Sequence, residues 1–182
     1  MTKTVAVLVG SIRKGSLNRK LAQALEKLAE GKLKFDHVRI DDLPFYNEDL
    51  WQDPPAAVSR FKDQVAAADA ILIVSPEYNR TYPGILANAF EWGSRPSGKS
   101  VWARKPAAVT GTSPGAIGSA VGQAHLRGAV LNLATVPMHA PEAYIQWKPE
   151  NFADDGSITD ESTRNFLQAY VDAFAKWIDK HQ

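Results

Sequence analysis

Two short apolar runs, residues 5–9 (Val-Ala-Val-Leu-Val) and 70–75 (Ala-Ile-Leu-Ile-Val-Ser), constrain the fold more than any other feature. Neither alternates polar with apolar residues, so each reads as a strand covered on both faces, and such strands belong to parallel sheets. Each is followed by a small-residue turn and then a helical pattern. After the first, Ser16 stands as an N-cap, Leu17, Leu21, Leu25 and Leu28 form one stripe, and Gly31 closes the helix.

The rest of the chain keeps the same rhythm. Residues 33–40 read as a half-exposed second strand, and 41–54 as a long irregular stretch carrying Pro44, Phe45, Tyr46 and Trp51. Loops of that length inside a compact domain tend to be functional or interfacial. A helix over about 55–68 leads into the strand at 70–75, then a loop over 76–82 and a helix from Pro83 to about Trp92. A short strand at 107–110 runs into the glycine-rich 111–122, a helix to about Asn132 and a strand at 134–138. Thr159 is expected to cap the last helix, with Asp160 and Glu161 in its first turn and Phe166, Tyr170, Phe174 and Trp177 on its buried stripe. Strands alternating with helices predict one α/β domain over 1–182, doubly wound, with five parallel strands in the order 2-1-3-4-5 and helices on both faces. In that order the ligand crevice lies at the carboxyl ends of strands 1 and 3.

Composition narrows the partners. A formal net charge of +1 across 182 residues gives no basic excess for nucleic acid or an anionic membrane. The chain has no cysteine, which excludes disulfides, thiolate metal sites and cysteine nucleophiles and accords with a cytoplasmic location. The run at 5–9 is too short for a signal peptide, and no stretch approaches a membrane span. His37, His125, His139 and His181 lack metal-ligand spacing, so no metal is expected, and Asp41-Asp42 and Glu48-Asp49 read as solvated carboxylates.

Three loops at the expected crevice carry the chemistry. Gly10-Ser11-Ile12-Arg13-Lys14-Gly15-Ser16-Leu17-Asn18 joins the first strand to a helix N-terminus, where unpaired N–H groups welcome an anion. Gly10 and Gly15 permit a tight turn, Ser11, Ser16 and Asn18 add neutral donors, and Arg13 adds a cation suited to phosphate oxygens. The loop is neither G-x-x-x-x-G-K-[ST] nor G-x-G-x-x-G, so it suits a phosphate monoester rather than a nucleoside triphosphate or a dinucleotide fingerprint. Glycine and serine also fill ordinary strand-to-helix turns. The second loop, Pro76-Glu77-Tyr78-Asn79 through Pro83-Gly84, has no acidic phosphoacceptor at its start; its aromatic and amide could border a flat heterocycle, or could make a proline-bounded turn. In the third loop, Ser113-Pro114-Gly115 lies among glycines that allow a ring near the backbone, while the Gly118–Gly122 spacing suggests tight helix packing.

Together these loops resemble the NADPH-dependent FMN reductase family, particularly its quinone- and chromate-reducing branch. Gly10-Ser11-x-Arg13-x-x-Ser16-x-Asn18, Pro76-Glu77-Tyr78-Asn79 with Pro83-Gly84, and Ser113-Pro114-Gly115 carry the resemblance. Asn88-Ala89, Trp92, His125-Leu126-Arg127 and Pro141-Glu142 extend it over most of the chain. It implies a flavodoxin-like fold, with FMN phosphate contacts at Ser11, Arg13, Ser16, Leu17 and Asn18. It further implies ring contacts at Pro76, Glu77, Tyr78, Asn79, Ser113 and Gly115, and a homodimer or homotetramer with flavin near the interface. Pro114 departs from the glycine that the family often has there.

On that resemblance the expected activity is ping-pong transfer from NADH or NADPH through FMN to quinones, flavins, azo compounds or chromate. The flavin carries the chemistry and no catalytic side chain is expected. A flavodoxin-type electron carrier is the alternative, which a near-neutral chain with Arg13 in its phosphate loop argues against; a non-flavin phosphate-binding domain is another. Arg95, past the helix that starts at Pro83, should face away from its own flavin and could reach a partner's pyridine nucleotide; a surface arginine at a helix C-terminus is the plainer reading. Phe45, Tyr46, Trp51 and Trp147 could wall a substrate pocket or a subunit interface.

Overall fold

The computed structural model describes residues 2–182. Its strands are β1 (Lys3–Val9), β2 (Leu33–His37), β3 (Ala70–Val74), β4 (Pro106–Ser113), β5 (Val136–Pro137) and β6 (Tyr144–Gln146). Its helices are α1 (Leu17–Ala29), α2 (Ala56–Ala67), α3 (Gly84–Ser94), α4 (Ala120–Asn132) and α5 (Glu161–Lys180). The sheet runs β2-β1-β3-β4-β5, with every pairing parallel, as the alternation predicts.

The two-sided strands divide the core cleanly. Val5 and Val7 of β1 and Leu72 and Val74 of β3 point to the face covered by α1 and α5, where Leu21, Leu25, Tyr170 and Phe174 meet them. Ala6 and Leu8, with Ile71 and Ile73, point to the face covered by α2, α3 and α4, against Phe61, Leu86, Trp102 and Leu126. Successive side chains of a strand alternate faces, so one continuous apolar run supplies both cores.

The sixth strand was not foreseen. β4 takes β5 beside Pro106 and Ala107, and β6 beside Gly111, Thr112 and Ser113. The expected fifth strand at 134–138 is thus shortened to Val136–Pro137, and a strand outside that range pairs with the rest of β4. The gap is stitched by side chains: Thr110 Oγ1 donates to Ala143 O and Thr112 Oγ1 to Ile145 O. The polar threonines of an otherwise apolar strand are the trace this left in the sequence.

Other boundaries and one stripe also differ: β4 runs to Ser113 rather than residue 110, and α4 starts at Ala120, within the glycine-rich stretch. β2 ends at His37 rather than residue 40: Val38 N still donates to Val7 O, but beyond it the chain leaves the sheet, burying Val38 and Ile40 on the α2 face. The cap of α5 is Asp160, whose side chain accepts from Thr163 N at 2.7 Å; the Thr159 hydroxyl is spent on Glu150 O. The buried stripe of α5 is Leu167, Tyr170, Val171, Phe174 and Ile178, while Phe166 is exposed and Trp177 is half-buried. Among the described residues, no helix is long and apolar enough to cross a membrane, and no group of three His, Cys, Asp or Glu could hold a metal.

Candidate functional site

Val9, Val74 and Thr110 are in register, so β1 and β3 end together and β4 runs on past them to Ser113, with the loops that follow all leaving from the carboxyl edge of the sheet. Gly10 N donates to Val74 O and Ser75 N to Thr110 O, carrying the parallel ladder one residue past the strands. The backbones then come very close: a Cβ on Gly111 would lie 1.9 Å from Ser75 O, and one on Gly10 2.8 Å from Leu86 Cδ1. These two glycines let protein approach protein rather than ligand. Gly15 and Gly115 are the open ones, their nearest outside atoms being the Arg13 guanidinium at 3.7 Å and Ser113 Oγ at 3.5 Å.

The first loop is a donor cradle. A helix leaves its first four N–H groups without intrahelical partners. In α1, Ser16 N donates to Arg13 O, and Arg19 N donates to the capping Ser16 Oγ. Leu17 N and Asn18 N are the remaining two, side by side at the positive end of the helix. The Ser16 hydroxyl, having accepted from Arg19, still has its own proton to donate. Ser11 is buried against the same turn, and no acidic residue stands in the first turn of α1. Arg13 is exposed, its guanidinium folded back on Gly15 O at 3.0 Å. Donors of hydrogen bonds, the exposed cations Arg13 and Lys14 and no carboxylate form a set that fits a phosphate monoester.

Asn18 behaves differently from the neutral donor the sequence suggests. Its amide is buried and tied to β4: Nδ2 donates one of its two protons to Thr112 O at 3.0 Å, and Oδ1 accepts from Thr112 N at 2.9 Å. The side chain ties the cradle to the third loop, while its backbone N–H and its second Nδ2 proton remain as donors.

The second loop is a tight hairpin. Tyr78 N donates to Thr81 O and Thr81 N to Tyr78 O, with Asn79 and Arg80 between them at φ 51° and 62°. Two left-handed residues at a two-residue turn make a type I′ geometry, which asparagine tolerates and arginine adopts only under strain. Pro76 is buried, whereas Tyr78 and Asn79 are exposed at the tip. Glu77 is held elsewhere: Oε2 accepts from Gly122 N at 2.9 Å, capping α4, and Oε1 pairs with Arg80 at 3.3 Å. The carboxylate takes the place of the capping side-chain bond that Ser119 does not make. A Cβ on Gly122 would sit 3.1 Å from Thr81 O and one on Gly118 2.5 Å from Ile145 N, so this spacing serves packing.

The third loop is braced by β6. Trp147 N donates to Ser113 O, and Gln146 Nε2 to Pro114 O. Pro114 offers no N–H, so the donors of this loop lie beyond it, while Ser113 Oγ bonds Gly115 O at 3.3 Å.

The motifs outside the loops are scaffolding. Asn88 and Trp92 of α3 pin the irregular stretch: Asn88 Oδ1 accepts from Tyr46 N, and Asn88 Nδ2 and Trp92 Nε1 both donate to Pro44 O. Arg127 of α4 pairs with Glu142 at 3.3 Å and bonds the Tyr144 hydroxyl, fixing β6. Asp41 and Asp42 are ion-paired, with Arg39 and Arg60 respectively, rather than simply solvated. The four aromatics do not form one wall. Tyr46 packs on Trp51 and Trp92, Phe45 is almost fully exposed, and Trp147 stacks on Phe152 across the sheet, on the α1/α5 side. Arg95 caps the far end of α3, its guanidinium 5.9 Å from the Tyr46 ring centroid.

Comparison with known proteins bears on the family and the fold. The family model described as NADPH-dependent FMN reductase matches residues 3–148. A 2-hydroxy-1,4-benzoquinone reductase from a Burkholderia species is 48% identical over 178 residues, covering 98% of this chain and 97% of the relative. A quinone reductase of Pseudomonas putida is 48% identical over 176 residues, covering 96% and 94%. The solved structure of FerB, a flavoenzyme NAD(P)H:(acceptor) oxidoreductase from Paracoccus denitrificans, superposes with a TM-score of 0.98 at 57% identity, over 99% of both chains.

Proposed function

The chain belongs to the NADPH-dependent FMN reductase family, and we propose that it is an FMN-dependent NAD(P)H:quinone oxidoreductase whose cradle grips the FMN phosphate. The pair of unpartnered N–H groups at Leu17 and Asn18, flanked by Ser11, Ser16 and Arg13, carries this reading. When bound, FMN would supply the redox chemistry between NAD(P)H and a second substrate, as a ping-pong cycle requires.

The protein's part is positioning and electrostatics. The positive end of α1 and Arg13 neutralise the phosphate. The hairpin at Pro76, Glu77, Tyr78 and Asn79 and the turn at Ser113 and Gly115 border the flat ring from the other two loops. Tyr78, exposed at the hairpin tip, would border the ring, and Gly115 would leave the backbone open to it. Small quinones are the acceptors that the names of the relatives favour, with free flavins, azo compounds and chromate as further acceptors. Ile117, Leu131 and Tyr144, exposed apolar side chains near the brace of α4 and β6, suit a homodimer or homotetramer. In such an assembly Arg95, remote from its own cradle, is available to the pyridine nucleotide of a second protomer. The absence of cysteine and near-neutral charge accord with cytoplasmic work on small molecules.

The test is the visible spectrum of the purified protein, followed by NADPH without oxygen. A yellow protein bleached directly by NADPH, and recoloured by a benzoquinone, supports the assignment. A protein that takes up no FMN, or holds FMN that NADPH leaves yellow, refutes it.

A further inference from the structure

Gln123 of α4 is a buried amide set among backbone carbonyls. It is 1% exposed, although glutamine is mostly a surface residue. Its Nε2 donates to Ala143 O and to Ser119 Oγ, each at 3.1 Å, and reaches Gly118 O at 3.4 Å. Its Oε1 accepts from the Arg127 guanidinium at 3.2 Å. Ala143 O is fixed from the other side by the Thr110 hydroxyl of β4 at 3.0 Å. One side chain, both of whose polar atoms are used, therefore ties α4, the approach to β6 and the end of the third loop together.

The end of that loop needs holding. Gly118 and Ser119 both have left-handed backbones, at φ 54° and 65°. Glycine adopts that region freely, but serine does so at a steric cost, and Ser119, at the N-cap of α4, makes no capping bond in return. Its hydroxyl instead accepts from Gln123. From Gly118 the constraint passes to the open part of the loop, because Gly118 N donates to Gly115 O at 3.1 Å. Gly115 is the residue of this loop with room beside it, its nearest outside atom being Ser113 Oγ at 3.5 Å. The start of the loop is braced at Ser113 and Pro114 by Trp147 N and Gln146 Nε2. Its end is braced by Gln123.

We propose that Gln123 is the positioning residue for the ring side of the flavin site. It acts through the loop rather than by contact with flavin: it holds Gly118 and Ser119 in their left-handed turn, and through Gly118 it sets Gly115 and the backbone that borders the ring. The inference rests on the third loop being the ring border of an FMN site. A merely structural role would lower stability without changing how flavin is held.

Release of FMN from the full-length flavoprotein on dilution, followed by flavin fluorescence, tests it together with the visible spectrum of the bound flavin. Gln123→Met, which keeps the length and removes both polar atoms, should raise the Kd for FMN about tenfold at a temperature well below Tm, with the flavin band shifted toward that of free FMN. Gln123→Glu, which keeps the shape and the Arg127 contact but loses the donor, should do the same. Adding Ser119→Gly to Gln123→Met supplies a residue that takes the left-handed backbone without cost, and should bring the Kd back to within about threefold of the wild type. A Kd that both Gln123 variants leave unchanged overturns the proposal, and so does a Ser119→Gly change that restores nothing. FMN lost only because the variants are unfolded at the assay temperature makes Gln123 structural and equally overturns it. A wild-type protein that holds no FMN refutes the FMN reading itself, ring border included.

Discussion

Asn18→Ala separates a bracing role from a ligand contact. The Asn18 amide is the hydrogen-bond partner of both backbone groups of Thr112, at 2.9 and 3.0 Å, in a part of β4 where Thr112 is only 1% exposed. Truncation leaves a buried N–H and a buried C=O without that partner, each costing about 1–3 kcal/mol. The sum is about 2–6 kcal/mol, and for a domain of this size each kcal/mol lowers Tm by about 2–4 °C. A middle value of about 4 kcal/mol therefore predicts a Tm lower by about 8–16 °C. The assay is thermal unfolding of the flavin-free protein, which removes the contribution of bound ligand to Tm. FMN affinity of the variant, measured well below its Tm, should fall by less than about fivefold, because the backbone N–H of residue 18 stays in place. A Tm within about 3 °C of the wild type, together with a loss of FMN affinity of tenfold or more, would show that the amide faces phosphate and refute the bracing role.

Arg13→Ala should weaken FMN by roughly ten- to a hundredfold, since a charge-assisted bond contributes about 1.5–3 kcal/mol; retained affinity in a fluorescence titration removes Arg13 from the phosphate site. Arg95→Ala should raise the NADPH KM without changing FMN affinity, and an unchanged KM ends the proposed reach into a second protomer. Gly111→Ala should unfold or strip the site, because its Cβ would fall 1.9 Å from Ser75 O, whereas Gly115→Ala, with 3.5 Å to Ser113 Oγ, should keep the wild-type Tm. Tyr170, buried with its hydroxyl donating to Val109 O, has its pKa pushed well up by desolvation. Above about pH 10 an unfolded tyrosine loses its proton while this one keeps it, so the native state binds more protons and stability falls as pH rises. Denaturant unfolding from pH 8 to 11 should show that fall in the wild type and a shallower one in Tyr170→Phe; parallel curves would count against it.

How legible was this in the chain? The layered fold was, because runs 5–9 and 70–74 are apolar at every position and only a sheet covered on both faces buries them so. The sixth strand was hidden because a three-residue strand carries too little periodicity, and Tyr144-Ile145-Gln146 pairs with β4 only through a chain excursion. The stripe of α5 shifted for a different reason. Phe166 is apolar but falls on the outer face, and the sequence pattern does not distinguish a phenylalanine that packs inward from one that a partner would cover. At the cradle, the presence of glycines and serines was plain, but which glycine answered to ligand and which to protein depended on neighbours distant in the chain: Leu86 for Gly10 and Ser75 for Gly111.

The division of labour among the site residues follows from that packing. Side chains that a reader of the sequence would assign to the ligand, Asn18 and Glu77, are engaged in joining the three loops to one another, by way of Thr112 and Gly122. What remains for an anion is mainly backbone N–H, at Leu17 and Asn18, together with the hydroxyls of Ser11 and Ser16. This arrangement is suited to a cofactor held through repeated turnover. Helix N–H groups cannot rotate away or change protonation, and their positions are set by an N-cap and two buried amide bonds rather than by flexible side chains. Arg13 lies outside on the solvent side, where in the proposed site it would add affinity without bearing on the placement of the ring. Affinity and geometry are thereby assigned to different residues, so Arg13→Ala should change how tightly FMN is held and Asn18→Ala how well the loops around it are kept.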